Sequence, residues 1–159
     1  MHPLAPAART VWRIKLVLMW LLVLAGALVY DVAGLFDRDA GLLPTGLATG
    51  LVLVVGTAAC VLIPSLRYRT WRYALLPEEL YLERGILNRV RTIVPLRRIQ
   101  HLDVSQDLLE REYDLAKLVV HTAGTRSSDV VLPGLRIEEA EALRDQVKQY
   151  LLAEPDESV

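Results

Sequence analysis

Two long apolar runs occupy the first 66 residues of the chain. The first, LVLMWLLVLAGALVYDVAGLF, lies between Lys15 and Asp37 and contains one charged residue, Asp31. The second lies between Asp39 and Arg67 and contains none. A bilayer core requires about 20 predominantly apolar helical residues. The pattern therefore predicts transmembrane helices at 14–36 and 43–66, joined by an external connector at 37–42.

A signal peptide and a buried soluble helix are the alternatives to this hairpin. Basic residues precede the first run, and Ala25-Gly26-Ala27 resembles a cleavage site. However, the apolar run continues past Ala27 and a second one follows. Two adjacent runs of this length are also unusual for the core of so short a soluble chain. The pattern favours an uncleaved helical hairpin.

The basic residues flanking the runs predict the orientation of the hairpin. Three precede the first helix and three follow the second: Arg9, Arg13, Lys15, Arg67, Arg69 and Arg72. The connector contains one basic residue, Arg38. Because basic loops stay in the cytoplasm, both termini, including a tail at 1–13, are expected on the cytoplasmic side of the membrane.

Two features inside the apolar runs are candidates for a functional role. An ionisable residue within a membrane segment is a functional hypothesis by default, but Asp31 could equally mark the end of its helix at the headgroups. Gly46 and Gly50 form a Gly-x-x-x-Gly pair that permits close helix contact. That contact could be made with the first helix or with another protomer.

From Arg69 onward, short segments with period-two alternation replace the long apolar runs. A helical turn is predicted at Leu108–Tyr113, and an amphipathic helix at Arg136–Leu152 whose apolar stripe would cover the sheet. Pro133-Gly134 is expected to end the last strand. The predicted strands are Thr70–Leu76, Leu80–Glu83, Val90–Val94, Ile99–Ser105, Lys117–Thr122 and Asp129–Leu132. The pattern indicates a mainly antiparallel β-domain with a terminal helix over 67–152, followed by an acidic tail at 153–159.

Charge is distributed unevenly along this domain, although the whole chain has a net charge of −1. Residues 67–99 contain eight Arg against three Glu, and residues 100–159 contain six basic against thirteen acidic residues. Anionic lipids attract basic residues near the cytoplasmic leaflet. Arg97 and Arg98 could instead pair with downstream carboxylates. The candidate lipid or partner contacts are Arg67, Arg69, Arg72, Arg97 and Arg98.

The residues that usually carry catalysis or cofactors form no recognised pattern. The sole cysteine, Cys60, lies in an apolar run, and His101 with His121 is too small a set for a zinc site. There is no nucleophile elbow and no phosphate-binding glycine loop. Carboxylates crowd the turn at 107–114, which suggests either acid–base pairs or an exposed charged turn. The sequence predicts no catalytic residue, cofactor or metal, and no nucleic-acid partner.

Four short stretches resemble a known family. They are Pro95-Leu96-Arg97-Arg98-Ile99-Gln100, Gln106-Asp107-Leu108-Leu109-Glu110-Arg111, Leu115-Ala116-Lys117-Leu118 and His121-Thr122-Ala123-Gly124. Together with the two-helix layout, they resemble the YdbS-like bacterial membrane proteins, whose soluble part is a pleckstrin-homology-like domain. The resemblance covers most of the chain and is strongest over Arg69–Leu152.

The resemblance implies a strongly bent antiparallel sheet or barrel closed at one end by the C-terminal helix. A full fold of this kind has seven strands, and the sequence pattern shows six, so a further strand could lie within 108–117. Many relatives have Phe-Gly where this chain has Tyr113-Asp114. Because Asp enters the left-handed region more readily than most residues, the turn is expected to survive.

The resemblance also implies a role, which we state as an expectation. It is a non-enzymatic membrane-anchored scaffold that associates with itself or with a larger paralogue, in envelope stress or bacteriocin resistance. The alternative is an anionic-lipid-binding or regulatory module that uses a basic face formed by 67–98. An enzyme would need a site that the sequence does not reveal.

Overall fold

A computed structural model describes residues 2–36, 44, 46–123 and 129–153 of the chain. These residues form two compact units. One lies within 12–66 and is called the hairpin unit below. The other, called the β-domain, combines the first eleven residues with the chain from Arg67 onward.

Two long helices provide the hairpin unit. Helix α1 spans Pro6–Phe36 and helix α2 spans Leu47–Thr70, and both are long and apolar enough to cross a membrane. Their apolar side chains are largely uncovered by protein, as for Leu22 at 76% and Val54 at 72% exposure. The second helix was predicted at 43–66, and α2 instead continues through Pro64 to Thr70. The predicted connector lies outside the described residues.

The β-domain contains two three-stranded antiparallel sheets with the orders β1-β2-β3 and β4-β5-β6. Their strands are β1 Arg72–Leu75, β2 Glu79–Arg84, β3 Val90–Pro95, β4 Ile99–Ser105, β5 Leu115–Thr122 and β6 Val130–Arg136. A short 3-10 turn at Leu96–Arg98 links the sheets, and helix α3 covers Leu108–Glu112. Helix α4, Ile137–Ala153, packs on the second sheet. The predicted bent antiparallel architecture with a C-terminal helix is confirmed.

The end of the sixth strand was predicted wrongly. Strand β6 runs through Pro133 and Gly134 to Arg136 instead of ending before them. Because β6 lies at the edge of its sheet, proline's missing N–H can point away from the ladder without loss of a bond. Gly134 adopts a φ of +67°, which glycine reaches without the penalty of a β-carbon.

The region 108–117 contains no additional strand: the structure assigns it to α3, a turn and the beginning of β5. The turn itself follows the expectation for the Tyr113-Asp114 substitution. Asp114 has a φ of +52°, so it occupies the left-handed conformation that glycine would otherwise supply. The described residues thus contain six strands, together with one isolated bridge between His2 and Tyr73.

Alternating strand residues and one stripe of α4 build the core of the β-domain. Leu80 and Leu82 of β2 and Leu118 and Val120 of β5 are almost fully buried. The α4 stripe contributes Ala140, Leu143 and Val147, which are also buried. Period two in the strands and period 3.6 in the helix therefore converge on one apolar interior, as the sequence pattern predicts.

The first eleven residues contribute to this core, although the sequence pattern treats 1–13 as a tail. The backbone N–H of His2 donates to the Tyr73 carbonyl at 2.7 Å, and the Tyr73 N–H donates back at 3.1 Å. The Ala5 N–H donates to the Gly134 carbonyl on β6 at 2.9 Å. Leu4, Ala8 and Val11 are at most 2% exposed. The N-terminal segment thus pairs with the free edge of β1 and fills space inside the domain.

Candidate functional site

Asp31 serves the structure of the hairpin by capping the other helix. Its carboxylate accepts a hydrogen bond from the Thr49 N–H at 2.9 Å, and the residue is 6% exposed. Thr49 lies in the first turn of α2, where backbone N–H groups have no partner within the helix. Gly46, which precedes α2, has no side chain to cap them. An anionic group at a helix N-terminus is also favoured by the helix dipole.

The close contact between α1 and α2 occurs at Gly56, which the sequence analysis did not single out. The Trp20 indole Nε1–H donates to the Val52 carbonyl at 3.1 Å. A β-carbon added to Gly56 would overlap the Trp20 indole, whereas one added to Gly46 or Gly50 would meet nothing within 4 Å. Gly46 precedes the helix with a φ of +86°. A contact of Gly46 and Gly50 with another protomer stays a prediction.

The five candidate arginines lie at two different ends of the β1-β2-β3 sheet. Arg67 and Arg69 end α2 and Arg72 begins β1, opposite Glu83 near the end of β2. Arg97 and Arg98 follow Pro95, which pairs with Glu79 at the beginning of β2. Since strand residues rise about 3.4 Å each, the stretch of β2 from Glu79 to Glu83 separates the two groups by about 14 Å. Arg97 and Arg98 therefore lie toward the opposite end of β2 from Arg72, and a basic face that includes both groups stays a prediction.

The end that contains Arg67 carries a groove of about 390 Å³, bordered also by Arg84 and the turn between β2 and β3. The Arg84 guanidinium lies 5.9 Å from the centroid of the Trp71 ring, a cation–π distance. The Arg72 guanidinium donates to the Trp71 carbonyl at 2.8 Å. Trp71 is 4% exposed, so a buried residue contacts Arg84 through its ring and Arg72 through its backbone carbonyl.

A second set of arginines shares one carboxylate at the same end. The Glu83 carboxylate lies 3.2 Å from Arg89 Nε and 3.9 Å from Arg91 Nε. Residues 67–72 and 83–91 together contain six Arg and one Glu. We call this end of the sheet the arginine end. One carboxylate cannot neutralise six arginines, so the arginine end keeps an excess of positive charge.

Two histidines meet on the outer face of the second sheet, as their positions on different strands allowed. Both contact Asp103: His101 Nε2 at 2.7 Å and His121 Nε2 at 3.3 Å. His121 Nδ1 lies 2.8 Å from Asp129. Among the described residues, no group of three or more His, Cys, Asp and Glu side chains could hold a metal ion. The cluster is half-buried to exposed, where such pairs contribute little stability.

The crowded carboxylates at 107–114 include a helix cap. The Asp107 carboxylate accepts from the Glu110 N–H at 2.9 Å, and the Asp107 N–H donates to the Glu110 carboxylate at 3.0 Å. This reciprocal pair is a capping box, and it begins α3. Glu110 is 5% exposed. Two of the four carboxylates therefore have a structural task, which the sequence spacing Asp-x-x-Glu could have indicated.

Comparison with known proteins identifies the family. A family model described as Bacterial PH domain matches residues 16–151. The chain belongs to the bacterial PH domain family. The matched range includes most of α1, all of α2, the six strands and most of α4.

Two relatives from Bacillus subtilis (strain 168) extend this result. UPF0699 transmembrane protein YdbS is 37% identical over 109 residues, which are 68% of this chain and 67% of YdbS. UPF0699 transmembrane protein YdbT is 26% identical over 102 residues, which are 64% of this chain and only 20% of YdbT. No solved structure matches. The YdbS-like resemblance is confirmed: this is a membrane protein with a bacterial PH-like domain.

Proposed function

We propose that the protein is a non-enzymatic interaction module that holds its PH-like domain at the cytoplasmic face of the bacterial inner membrane. There it associates with itself or with a larger relative, in envelope stress or bacteriocin resistance. The observation that carries the proposal is the pair of relatives. One bacterium has a family member of which this chain matches 67% and another of which it matches 20%. A short and a long member sharing one domain favour assembly between them.

The carboxylates and histidines, which are the side chains that could act in acid–base chemistry, support a role without catalysis. The Asp107 and Glu110 carboxylates cap α3, and the Asp31 carboxylate caps α2. The histidines are paired with aspartates on an open sheet face. A catalytic site needs such groups to converge around a position for substrate, and these groups are instead distributed over separate structural tasks.

Assembly is tested with the full-length protein extracted from its own membranes in mild detergent. Native mass spectrometry is expected to find a homodimer, or a complex with a long family member that co-purifies. Gly50→Leu changes a position that is open in the single chain and should weaken the assembly. Val29→Leu changes an exposed residue of α1 and is the matched control. A strictly monomeric protein without a co-purifying relative overturns the proposal.

The cytoplasmic orientation has its own test. In a Cys60→Ala background, a cysteine replaces Leu108, which is 88% exposed on α3. A maleimide that cannot cross membranes is expected to leave intact spheroplasts unlabelled and to label the protein after permeabilisation. Labelling in intact spheroplasts would place the domain on the outer side and reverse the orientation predicted from the basic flanks.

Lipid recognition is the second candidate, and the arginine end favours it. Each basic residue near an anionic leaflet contributes about 1 kcal/mol of attraction. The test requires the whole chain, because a fragment beginning at residue 67 would lose the buried Leu4, Ala8 and Val11. Anionic lipid that co-purifies is quantified for Arg67→Gln/Arg69→Gln and, as a matched control, for Arg97→Gln/Arg98→Gln. Equal lipid content in both double variants would argue against this candidate.

A further inference from the structure

The turn between β2 and β3 exposes two adjacent apolar side chains at its tip. Leu87 is 100% exposed and Ile86 is 42% exposed. Tight turns normally contain Gly, Asn, Asp and Ser at such positions. A fully exposed leucine side chain obtains no stabilisation from burial. Single exposed apolar side chains are ordinary on a protein surface, but here two adjacent ones stand at one tip among arginines.

The backbone fixes the position of this tip. Gly85 has a φ of +119°, and a β-carbon there would overlap the Asn88 carbonyl. The strands on each side remain paired up to Arg84 and Val90. The apolar pair is therefore presented by a defined turn at the end of a paired hairpin.

The covalent path of the chain shows what lies next to the tip. Ile86 and Leu87 border the groove whose other residues include Arg67 and Thr70. Arg67 follows the last apolar residue of α2, and Thr70 ends that helix. At 1.5 Å per residue, these positions lie within about 6 Å of the end of the apolar segment. If α2 spans the bilayer, the groove stands at the level of the headgroups.

The charge around the tip matches the same surroundings. Arg84 and Arg89 flank the apolar pair in sequence, and the arginine end carries six Arg against one Glu. An apolar tip surrounded by cations suits an anionic leaflet, where the aliphatic side chains enter the acyl boundary and the guanidinium groups meet phosphates. A protein partner for this surface would have to be both apolar and acidic while lying in the headgroup layer.

We propose that the β2–β3 tip is a second membrane contact of the PH-like domain, in which Ile86 and Leu87 insert into the anionic cytoplasmic leaflet beside the end of α2. Arg67, Arg84 and Arg89 provide the electrostatic part of this contact. The tip then holds the domain at the bilayer in addition to its covalent links to α1 and α2. This inference rests on the proposed spanning of the membrane by α2.

The test measures depth in the full-length protein reconstituted into vesicles. A cysteine replaces Leu87 in a Cys60→Ala background and carries an environment-sensitive fluorophore, and lipids bearing nitroxides at the headgroup or in mid-chain act as quenchers. Quenching by the shallow nitroxide is expected, and it should be about twofold or more stronger when phosphatidylglycerol replaces part of the phosphatidylcholine. The same label at Leu108, exposed on α3, is the matched control and should not be quenched.

A third label separates the possible failures. Placed at Val54, which is 72% exposed within α2, it should be quenched by the deep nitroxide. Quenching at Val54 without quenching at Leu87 overturns the tip contact and leaves the membrane anchor intact. Loss of quenching at both positions overturns the anchor itself. Quenching at Leu87 that is equal with and without phosphatidylglycerol rejects the electrostatic part. A Leu87 label that is blue-shifted in lipid but unquenched would show that protein covers the tip, and it also overturns the proposal.

Discussion

The Asp31 carboxylate accepts a hydrogen bond from the backbone N–H of Thr49 at 2.9 Å, so one helix of the hairpin caps the other. In a membrane segment, an unsatisfied backbone N–H is costly because no water is available to bind it. The chain places Gly46 before α2, where Ser, Thr, Asp or Asn would usually cap. A carboxylate from α1 supplies the missing acceptor, which explains an ionisable residue inside an otherwise apolar run.

Replacing Asp31 by Ala is expected to destabilise the hairpin by about 1 kcal/mol, the usual cost of losing an N-cap acceptor. Asp31→Asn keeps an acceptor and should retain most of the stability. The readout is Cys60, the single cysteine of the chain, which is 6% exposed. Its labelling by a fluorogenic maleimide during heating should begin at lower temperature in Asp31→Ala. Val29→Ala, at a 69% exposed position, is the control, and identical curves for the two variants would contradict the capping role.

Gly56 and Gly50 are predicted to differ in their tolerance of a methyl group. Gly56→Ala would push against the Trp20 indole and disturb its hydrogen bond to Val52, for an expected cost of about 1–3 kcal/mol. Gly50→Ala meets open space and removes a flexible residue from a helix, which should stabilise by about 0.5–1 kcal/mol. The temperature at which Cys60 becomes labelled should fall for Gly56→Ala and rise for Gly50→Ala. A larger loss for Gly50→Ala would show that its open face is covered by another protomer.

The sequence predicted the periodic parts of the fold well, because periodicity directly reports burial. The six strands and the amphipathic α4 follow from periods of 2 and 3.6, and the two apolar helices follow from the length of their apolar runs. No local sequence pattern predicts backbone pairing between residues that are far apart in the sequence. The exchange of backbone hydrogen bonds between His2 and Tyr73 joins residues 71 positions apart, and nothing in the first eleven residues distinguishes a paired segment from a tail.

The candidate site was predicted only in part for the same reason. Arginines can be counted from the sequence, but the antiparallel register decides which of them are neighbours. It brings Arg67 to Arg84 and places Arg97 at the opposite end of β2. Likewise, Gly-x-x-x-Gly spacing identifies Gly46 and Gly50, whereas the close approach at Gly56 depends on where the Trp20 side chain lies.

Leu4 is expected to behave as a core residue of the β-domain. It is 2% exposed, and its carbonyl accepts from the Tyr68 hydroxyl at 3.1 Å. Leu4→Ala should destabilise the domain by about 2–5 kcal/mol through lost burial and the cavity left behind. Hydrogen exchange of the β1 peptide should accelerate, since Tyr73 donates its N–H to His2. Leu108→Ala, at an 88% exposed position, should leave exchange unchanged. Unaltered protection in Leu4→Ala would mean that the N-terminal segment does not contribute to the domain.

Tyr73 is expected to make the stability of the β-domain fall at alkaline pH. Burial, and then the negative charge of Glu139, raise the pKa of Tyr73 above its ordinary value of 10.0. Above about pH 10 the unfolded chain therefore loses this proton before the folded one does, and the free energy of unfolding falls as pH rises through the folded pKa. Below about pH 10 the contribution is fully present. Tyr73→Phe, which cannot ionise, should flatten this part of the stability curve measured by denaturant unfolding in detergent, whereas Tyr113→Phe, at a 38% exposed position, should not. Parallel curves for the wild type and Tyr73→Phe above about pH 10 would remove Tyr73 as the cause.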